Sequence, residues 1–238
     1  MANNYFQFKE FKVLQEVCAM KVCTDSCLFG AWVSESRITN KVSKVLDIGT
    51  GTGLLSLMLA QQFRNAEFHC VEIDYEASEE ARFNFDNSKW AHRFTVYNQD
   101  FNKFSTTEKY DLVICNPPFY SNHLSSIDNK RNAAMHSSDF SLEDMFVHSS
   151  GLIADNGCIA CLIPYSRTLE VIPIIMRTGW QIAKLTSIKQ TEHHGYFRTM
   201  LICTKNLGLM NEESIIIKEK NEYSAAFKAL LKDYYLYL

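Results

Sequence analysis

The sequence predicts an α/β protein built on a Rossmann-like, doubly wound sheet that is mostly parallel and has helices on both faces. Three observations lead to this prediction. Short runs rich in β-branched and aromatic residues alternate with helical patterns from residue 43 onward. A glycine-rich loop follows the first of these runs, and polar side chains follow several others. The length of 238 residues suits one such domain but is short for two.

The first five extended runs are predicted to be parallel strands joined by crossover helices. The strands are expected at 42–48, 67–73, 93–98, 110–115 and 158–163, and the helices at 54–63, 76–88 and 141–152. Ser141 is a suitable first residue for the third helix, because its hydroxyl can accept a hydrogen bond from a first-turn amide. Pro164 is expected to end the fifth strand.

The last part of the predicted core contains a hairpin. A helix at 167–177 precedes extended runs at 181–189 and 199–204, which are separated only by a short loop. So short a connection favours antiparallel pairing, whereas a nicotinamide-binding domain would continue with another crossover. Five parallel strands and a hairpin make the seven-stranded arrangement of the class I S-adenosylmethionine-dependent methyltransferases, with one antiparallel edge strand.

The remaining segments are expected to pack on this core within a single domain. A strand at 214–218 and a helix at 223–236 form the tail. We therefore divide the chain into an N-terminal segment at 1–40, a core at 41–205 and a C-terminal segment at 206–238.

The composition argues against several classes of function. With 47% hydrophobic and 21% charged residues, the chain is an ordinary globular protein. Its formal charge of −3 argues against non-specific nucleic-acid binding, so any RNA site must be a local patch. Residues 1–11 include polar and charged side chains where a signal peptide needs an apolar core, and the longest apolar run is too short to span a membrane. Together with the cysteines described next, this leads us to expect a cytoplasmic protein.

The cysteines are expected to be reduced and structural. Several of the eight lie within apolar, strand-like runs, where thiols behave as small hydrophobic groups. Cys158 and Cys161 form a CxxC pattern, but a strand would send the two thiols to opposite faces. We therefore expect no metal site.

The glycine-rich loop Asp47-Ile-Gly-Thr-Gly-Thr-Gly53 follows the first predicted strand and precedes a helix. Gly49, Gly51 and Gly53 let the backbone turn sharply and approach a small molecule closely. The GxGxG spacing with an acidic residue two positions earlier differs from the GxGxxG loop that cradles a pyrophosphate. Asp47 suits a cation better, and S-adenosylmethionine carries an ammonium and a sulfonium but no phosphate. The loop therefore favours S-adenosylmethionine as cofactor.

Acidic residues also follow the second and third predicted strands. Glu72 ends the second, where its two oxygens can accept both ribose hydroxyls. Asp74 lies two residues later, in a position typical of a residue that begins a helix. Asp100 and Phe101 follow the third strand, where the carboxylate can accept from the cofactor's adenine amine and the ring can cover the base. A lone Asp at a strand end is also common in simple turns.

Asn116-Pro-Pro-Phe119 directly follows the fourth predicted strand, at the sheet edge where ligands bind in this fold. An exocyclic purine amine is a poor nucleophile, because its lone pair is delocalised into the ring. The side-chain oxygen of Asn116 and the carbonyl of Pro117 can accept its two hydrogens and aim the lone pair at a methyl donor. Pro118 stiffens the loop, and Phe119 can stack on a flipped base. An ordinary Asn-Pro turn is the simpler alternative, but the position relative to the glycine loop favours catalysis.

Together with these motifs, the segments at both ends of the chain resemble the bacterial tRNA adenine-N6 methyltransferases that act on adenine 37 of valine tRNA. The matching segments are Phe6-Gln-Phe-Lys9, Cys18-Ala-Met-Lys-Val22, Thr24-Asp25, Leu28-Phe-Gly-Ala-Trp32, Tyr223-Ser-Ala-Ala-Phe227 and Asp233-Tyr-Tyr-Leu236. The resemblance covers nearly the whole chain. It implies methyl transfer from S-adenosylmethionine to the N6 amine of that adenine. It also implies that the segment at 1–40 caps the cofactor site and that Lys21, Thr24 and Asp25 lie near the cofactor. Thr24-Asp25 by itself reads as a helix start.

Two regions have a composition suited to RNA. Residues 121–139 form a long polar stretch without periodicity, in which Lys130 and Arg131 can meet phosphate. The hairpin mixes cations with aromatic residues, which suits unpaired bases. Its candidate RNA-binding residues are Lys189, His193, His194, Tyr196, Phe197 and Arg198.

Two alternative functions stay open at this point. Methylation of a guanine N2 amine in ribosomal RNA poses the same lone-pair problem, although many such enzymes carry a second, degenerate methyltransferase domain. A catalytically inactive RNA-binding or adaptor module is the alternative of another class, but such a chain would be expected to lose the glycines or Asn116. We expect a monomer that needs tRNA but no membrane and no obligate protein partner.

Overall fold

A computed structural model describes residues 3–18, 20–39, 41–117 and 141–238. The strands are β1 (Tyr5–Gln7), β2 (Lys12–Leu14), β3 (Lys44–Ile48), β4 (Glu67–Glu72), β5 (Phe94–Asn98), β6 (Tyr110–Cys115), β7 (Ile153–Pro164), β8 (Gln181–Thr191), β9 (Tyr196–Thr204), β10 (Asn211–Glu219) and β11 (Glu222–Tyr223). The helices are α1 (Thr24–Ser34), α2 (Leu54–Gln62), α3 (Tyr75–Asp86), α4 (Leu142–Leu152), α5 (Thr168–Arg177) and α6 (Ala225–Leu231).

The central sheet has the strand order β11-β10-β8-β9-β7-β6-β3-β4-β5 over the described residues. Strands β3 to β7 pair in parallel, as the alternation of strands and helices predicts. Because β3 lies between β4 and β6, the strand order reverses at β3, and ligands bind beside such a reversal. The predicted fold class is confirmed.

Two details of the predicted sheet are wrong. It has nine described strands rather than seven, and the antiparallel strand β9 lies inside the sheet between β7 and β8 rather than at its edge. The tail strand β10 pairs in parallel with β8 and covers what would otherwise be an open edge. Ile215 and Ile217 of β10 are buried, which fixes the face that β10 turns to the core.

The C-terminal helix is shorter than the predicted 223–236. Ser224 caps α6, accepting a hydrogen bond from the Phe227 amide at 3.1 Å, so the helix begins only at Ala225. After Leu231 the chain pairs with the N-terminal segment instead of continuing the helix: the Lys9 amide donates to the Tyr234 carbonyl at 2.9 Å. Tertiary pairing therefore ends the helix early.

The core lies on both faces of the sheet, because side chains alternate along each strand. Val45 contributes to the face covered by α1, α2, α3 and α6, whereas Leu46 contributes to the face covered by α4 and α5. Cys158 and Cys161 lie on opposite faces, as predicted. All eight cysteines are free thiols, and the described residues contain no cluster of three or more potential metal ligands.

The N-terminal segment packs on the first of these faces. Phe8 and Phe11 are buried and stack at 4.5 Å between ring centroids, so they are part of the core on this face. α1 begins at Thr24 and lies against α2. A Cβ at Gly30 would lie 2.9 Å from Met58 Sδ, so the absence of a side chain at Gly30 allows this contact. None of the described helices has the length and hydropathy that crossing a membrane requires.

Candidate active site

Three strand ends bring the predicted site residues to one level of the sheet. Ile48 pairs with Cys115 of β6 and with Val71 of β4. The next residues on these three neighbouring strands are therefore Gly49, Asn116 and Glu72. The parallel frame alone thus gathers the glycine loop, the acid of β4 and the Asn-Pro turn at one edge.

The glycine loop turns through three left-handed positions. Gly49, Gly51 and Gly53 have φ values of +68°, +53° and +80°, which L side chains adopt only with strain. A Cβ at Gly53 would lie 2.5 Å from the Phe85 ring, so this glycine is required for packing. A Cβ at Gly49 would meet nothing within 4 Å, so this glycine leaves open space above the loop.

Asp47 holds the glycine loop from below. Its carboxylate is 1% exposed, and its Oδ2 accepts hydrogen bonds from the hydroxyls of Thr50 and Ser56, both at 2.7 Å. The other oxygen, Oδ1, is buried and accepts none from the described residues. Burial raises the pKa of Asp47 to about 6, against the two hydroxyl donors, which lower it. Burying a carboxylate with one unpaired oxygen costs free energy. A cationic ligand bound nearby would offset that cost, so the surroundings of Asp47 fit such a ligand.

Glu72 is oriented by the backbone on both sides. Its Oε2 accepts from the Gly51 amide at 2.9 Å, and its Oε1 accepts from the Asp74 amide at 3.0 Å. Each oxygen keeps a second lone pair, so the carboxylate can still accept from two neighbouring hydroxyls. Burial raises the pKa of Glu72, which is opposed by these amides. Asp74 caps α3 by accepting from the Ala77 amide at 2.8 Å, so its predicted role as a helix-starting residue is confirmed.

Asp100 and Phe101 lie where β5 ends, and β3 and β4 lie between that strand and the strand that precedes Asn116. Asp100 accepts from the Asn102 amide at 2.9 Å, so one of its oxygens caps a short turn. Phe101 is 5% exposed and packs against His148 with ring centroids 4.9 Å apart. The contact of these two residues with an adenine ring stays a prediction.

The amide of Asn116 is fixed by the N-terminal segment. Its Nδ2 donates to Ser26 Oγ on α1 at 3.0 Å, and Ser26 is buried. An amide carries its donor and its acceptor on the two branches of one planar group, so fixing Nδ2 also fixes the direction of Oδ1. Pro117 is buried beside it. Pro118 and Phe119 lie outside the described residues.

The residues that the resemblance places near the cofactor have different surroundings. Lys21 is exposed, and Thr24 is the first residue of α1. Asp25 Oδ2 accepts from Arg198 Nε at 2.7 Å, so a predicted cofactor residue and a predicted RNA residue bind each other. This ion pair ties the start of α1 to β9.

Sequence reasoning missed Ser26, Glu80 and Asn84. The Glu80 carboxylate accepts from the amides of residues 16, 17 and 18, and the Asn84 side chain bonds both the Leu14 backbone and the Thr52 carbonyl. Both side chains come from α3 and hold the N-terminal segment against the glycine loop. The sequence did contain a signal for Glu80 and Asn84. They lie one turn apart beside the apolar stripe of α3, which places both polar side chains on the buried side of that helix.

The hairpin residues divide into a group at the sheet edge and a group in the turn. Lys189 and Tyr196 face each other across β8 and β9, and Phe197 is half-buried against the core. His193 and His194 are exposed in the turn, where the Thr191 hydroxyl lies 2.6 Å from His194 Nδ1. The other predicted RNA residues, Lys130 and Arg131, lie outside the described residues.

The chain is similar to known proteins over its whole length. The family model described as "Methyltransferase small domain" matches residues 30–158. A protein of Cytophaga hutchinsonii named tRNA1(Val) (adenine(37)-N6)-methyltransferase is 37% identical over 100% of both chains. A protein of Parabacteroides distasonis with the same name is 36% identical over 99% of both chains.

The fold is similar to that of solved methyltransferases. A Listeria monocytogenes structure titled as a class I S-adenosylmethionine-dependent methyltransferase superposes with a TM-score of 0.60 at 15% identity. The superposition covers 85% of this chain and 67% of the other. The structural similarity supports the class I methyltransferase fold, and the full-length relatives identify the family within that fold.

Proposed function

Because this chain belongs to the tRNA1(Val) (adenine(37)-N6)-methyltransferase family, we propose that it methylates the exocyclic N6 amine of adenine 37 in valine tRNA, using S-adenosylmethionine. One observation carries the proposal. Asn116 lies level with Gly49 and Glu72 on neighbouring strand ends, and Ser26 fixes the direction of its amide. An acceptor held beside a nucleoside site is what an exocyclic amine requires.

The described residues fit S-adenosylmethionine. Glu72 would accept the two ribose hydroxyls, the open space above Gly49 would admit the ligand, and buried Asp47 would favour its cationic end. Asp100 would accept from the adenine amine, with Phe101 beside it. When bound, this cofactor supplies an electrophilic methyl group on a sulfonium. Lys21 and Thr24 are proposed to line the same space, and Asp25 to act through its ion pair with Arg198.

The chemical task of the protein is to prepare the adenine amine. Asn116 Oδ1 and the Pro117 carbonyl accept its two hydrogens, which draws the nitrogen towards a pyramidal geometry and frees its lone pair. Bound S-adenosylmethionine would supply the methyl group, with the electron pair of the broken carbon–sulfur bond left on its sulfur. Asn116 Oδ1 and the Pro117 carbonyl would hold the amine hydrogens while the new carbon–nitrogen bond forms. The nitrogen then releases one proton to solvent through these acceptors, so no strong base is needed.

Ser26 contributes by orienting Asn116. Its hydroxyl accepts from Nδ2, so Oδ1 faces the substrate before the amine arrives. Such preorganisation lowers the cost of reaching the transition state, because the acceptor does not have to turn during the reaction. The proposed enzyme acts as a monomer in the cytoplasm.

The experiment compares the wild type, Asn116→Ala and Asn156→Ala with labelled S-adenosylmethionine and a valine tRNA transcript. Asn156 is exposed at the opposite end of β7 from the site and is the matched control. Loss of the acceptor should lower turnover about 10²- to 10³-fold, while the cofactor Kd should change by less than about twofold. The product nucleoside should be N6-methyladenosine, and replacing adenine 37 by guanine should abolish labelling.

Each opposite result points to a named alternative. Labelled N2-methylguanosine would indicate a guanine-N2 methyltransferase, and a wild type that does not bind S-adenosylmethionine would indicate an inactive module. An Asn116→Ala variant with wild-type turnover would refute the role of the Asn-Pro turn.

A further inference from the structure

Two tyrosines beside the site form an exposed aromatic surface. Tyr165 and Tyr196 have ring centroids 4.9 Å apart at an interplanar angle of 38°. They are 39% and 36% exposed. Lys189 Nζ lies 4.6 Å from the centroid of the Tyr196 ring. We call these three residues the aromatic step.

The aromatic step lies at the same sheet edge as Asn116. Cys161 of β7 pairs with Cys115 of β6, so Pro164 at the end of β7 is two residues beyond the level of Asn116. That separation is about 7 Å at the usual rise of about 3.3 Å per residue. Tyr165 follows Pro164 directly. Along the strand direction, the step therefore begins about one nucleotide beyond the level of Asn116, the residue proposed to hold the target amine.

The charge at this edge is carried by Lys189 rather than by Arg198. The Arg198 guanidinium is neutralised by Asp25. Lys189 forms no ion pair within the part of the chain that the structure describes, and its ammonium contacts the Tyr196 ring instead. An unneutralised cation beside two open ring faces suits a nucleotide, because the rings can stack on the base and the ammonium can meet its phosphate.

We propose that the aromatic step binds an unpaired base of the RNA next to the methylated adenine. This inference rests on the proposed function. An adenine turned into the site leaves its neighbour without a stacking partner. Stacking of that neighbour on Tyr165 and Tyr196 replaces the lost contact and holds the RNA in register.

The test uses the anticodon stem-loop of valine tRNA and the variants Tyr165→Ala, Tyr196→Ala, Tyr165→Phe and Tyr196→Phe. The control is Tyr237→Ala, which changes another exposed tyrosine, 88% exposed at the C-terminus. Each Ala variant should raise the KM for the RNA on the order of tenfold. Its kcat and its Kd for S-adenosylmethionine should stay at the wild-type values. The Phe variants keep the stacking face and should behave as the wild type.

A second measurement follows the base itself. 2-Aminopurine is placed beside adenine 37, and its fluorescence should fall on binding to the wild type and to the Phe variants but not to the Ala variants. Equal KM values and equal quenching in the Ala variants would overturn the proposal, and so would a loss confined to kcat. A wild type that leaves adenine 37 unmodified would refute the proposed function instead, and the quenching would still decide whether the step stacks on a base.

Discussion

The proposed cofactor side of the site and its proposed target side are held together in different ways. On the cofactor side, Gly51 and Glu72 are 21 residues apart and joined by a backbone amide. On the target side, Ser26 and Asn116 are 90 residues apart and are joined by side chains alone. Asp25 and Arg198, which are 173 residues apart, join α1 to β9 in the same way. The cofactor side is therefore part of the strand-loop-helix pattern, whereas the target side is assembled by tertiary contacts. Substitutions on the cofactor side should therefore affect stability and cofactor affinity, whereas substitutions on the target side should affect turnover.

The largest effect is expected for Gly53→Ala, on the cofactor side. The positive φ should cost about 1–2 kcal/mol, and overlap with the Phe85 ring should add about 1–3 kcal/mol. The free energy of unfolding should therefore fall by about 2–5 kcal/mol. Urea denaturation monitored by circular dichroism measures this loss.

Gly49→Ala is the matched control for this prediction. It carries the same kind of φ penalty but has open space around the added methyl group. It should lose about 1–2 kcal/mol of stability yet weaken cofactor binding more than Gly53→Ala does at a temperature where both are folded. Equal stability losses in the two variants would show that the Phe85 contact does not matter.

Asp47→Asn should separate stability from binding on the cofactor side. The rise in the pKa of Asp47 from 3.8 to about 6 means that folding favours its protonated form. This contribution to stability is fully present below pH 3.8 and is lost as the pH rises through about 6. The shift corresponds to about 3 kcal/mol. The Asn variant lacks this loss, so above pH 6 it should exceed the wild type by up to that amount.

Denaturation of both proteins between pH 4 and pH 8 measures the difference, which should grow to about pH 6 and then stay level. Cofactor affinity should change in the opposite direction. The Asn variant should bind S-adenosylmethionine at least about tenfold more weakly at pH 8, because it lacks the anion that we propose favours the cationic end of this cofactor. A stability difference that does not vary with pH would contradict the assigned pKa.

Much of the cofactor side could be predicted from the sequence, for a reason of geometry. Parallel strands joined by crossover helices send their carboxyl ends to one edge, whatever the details of packing. The position of Glu72, the capping role of Asp74 and the loop at Gly49 followed from their places in that frame. The same reasoning brought Asn116 to the site but gave no partner for its amide.

The remaining features depend on contacts that local patterns do not encode. The length of the loop between β8 and β9 predicted a hairpin, but not that β9 would lie next to β7 inside the sheet. Asp25 lies in a recognisable helix start, and Arg198 lies in a hairpin that mixes cations with aromatic residues. Nothing in the sequence indicated that these two residues pair. Ser26 follows a recognised helix start, and only the packing of α1 brings it to Asn116.

Ser26→Ala should have the smallest effect, confined to the target side. Without the acceptor for Nδ2, the Asn116 amide can turn, and turnover should fall about tenfold, the equivalent of about 1.4 kcal/mol. Stability and cofactor Kd should change little. Ser34→Ala on the same helix removes a hydroxyl that bonds Ala31 and Tyr234 instead, and it should keep wild-type turnover. The decisive comparison adds Ser26→Ala to Asn116→Ala: if Ser26 acts only by orienting that amide, the second change should lower turnover no further, whereas additive losses would mean that Ser26 acts by another route.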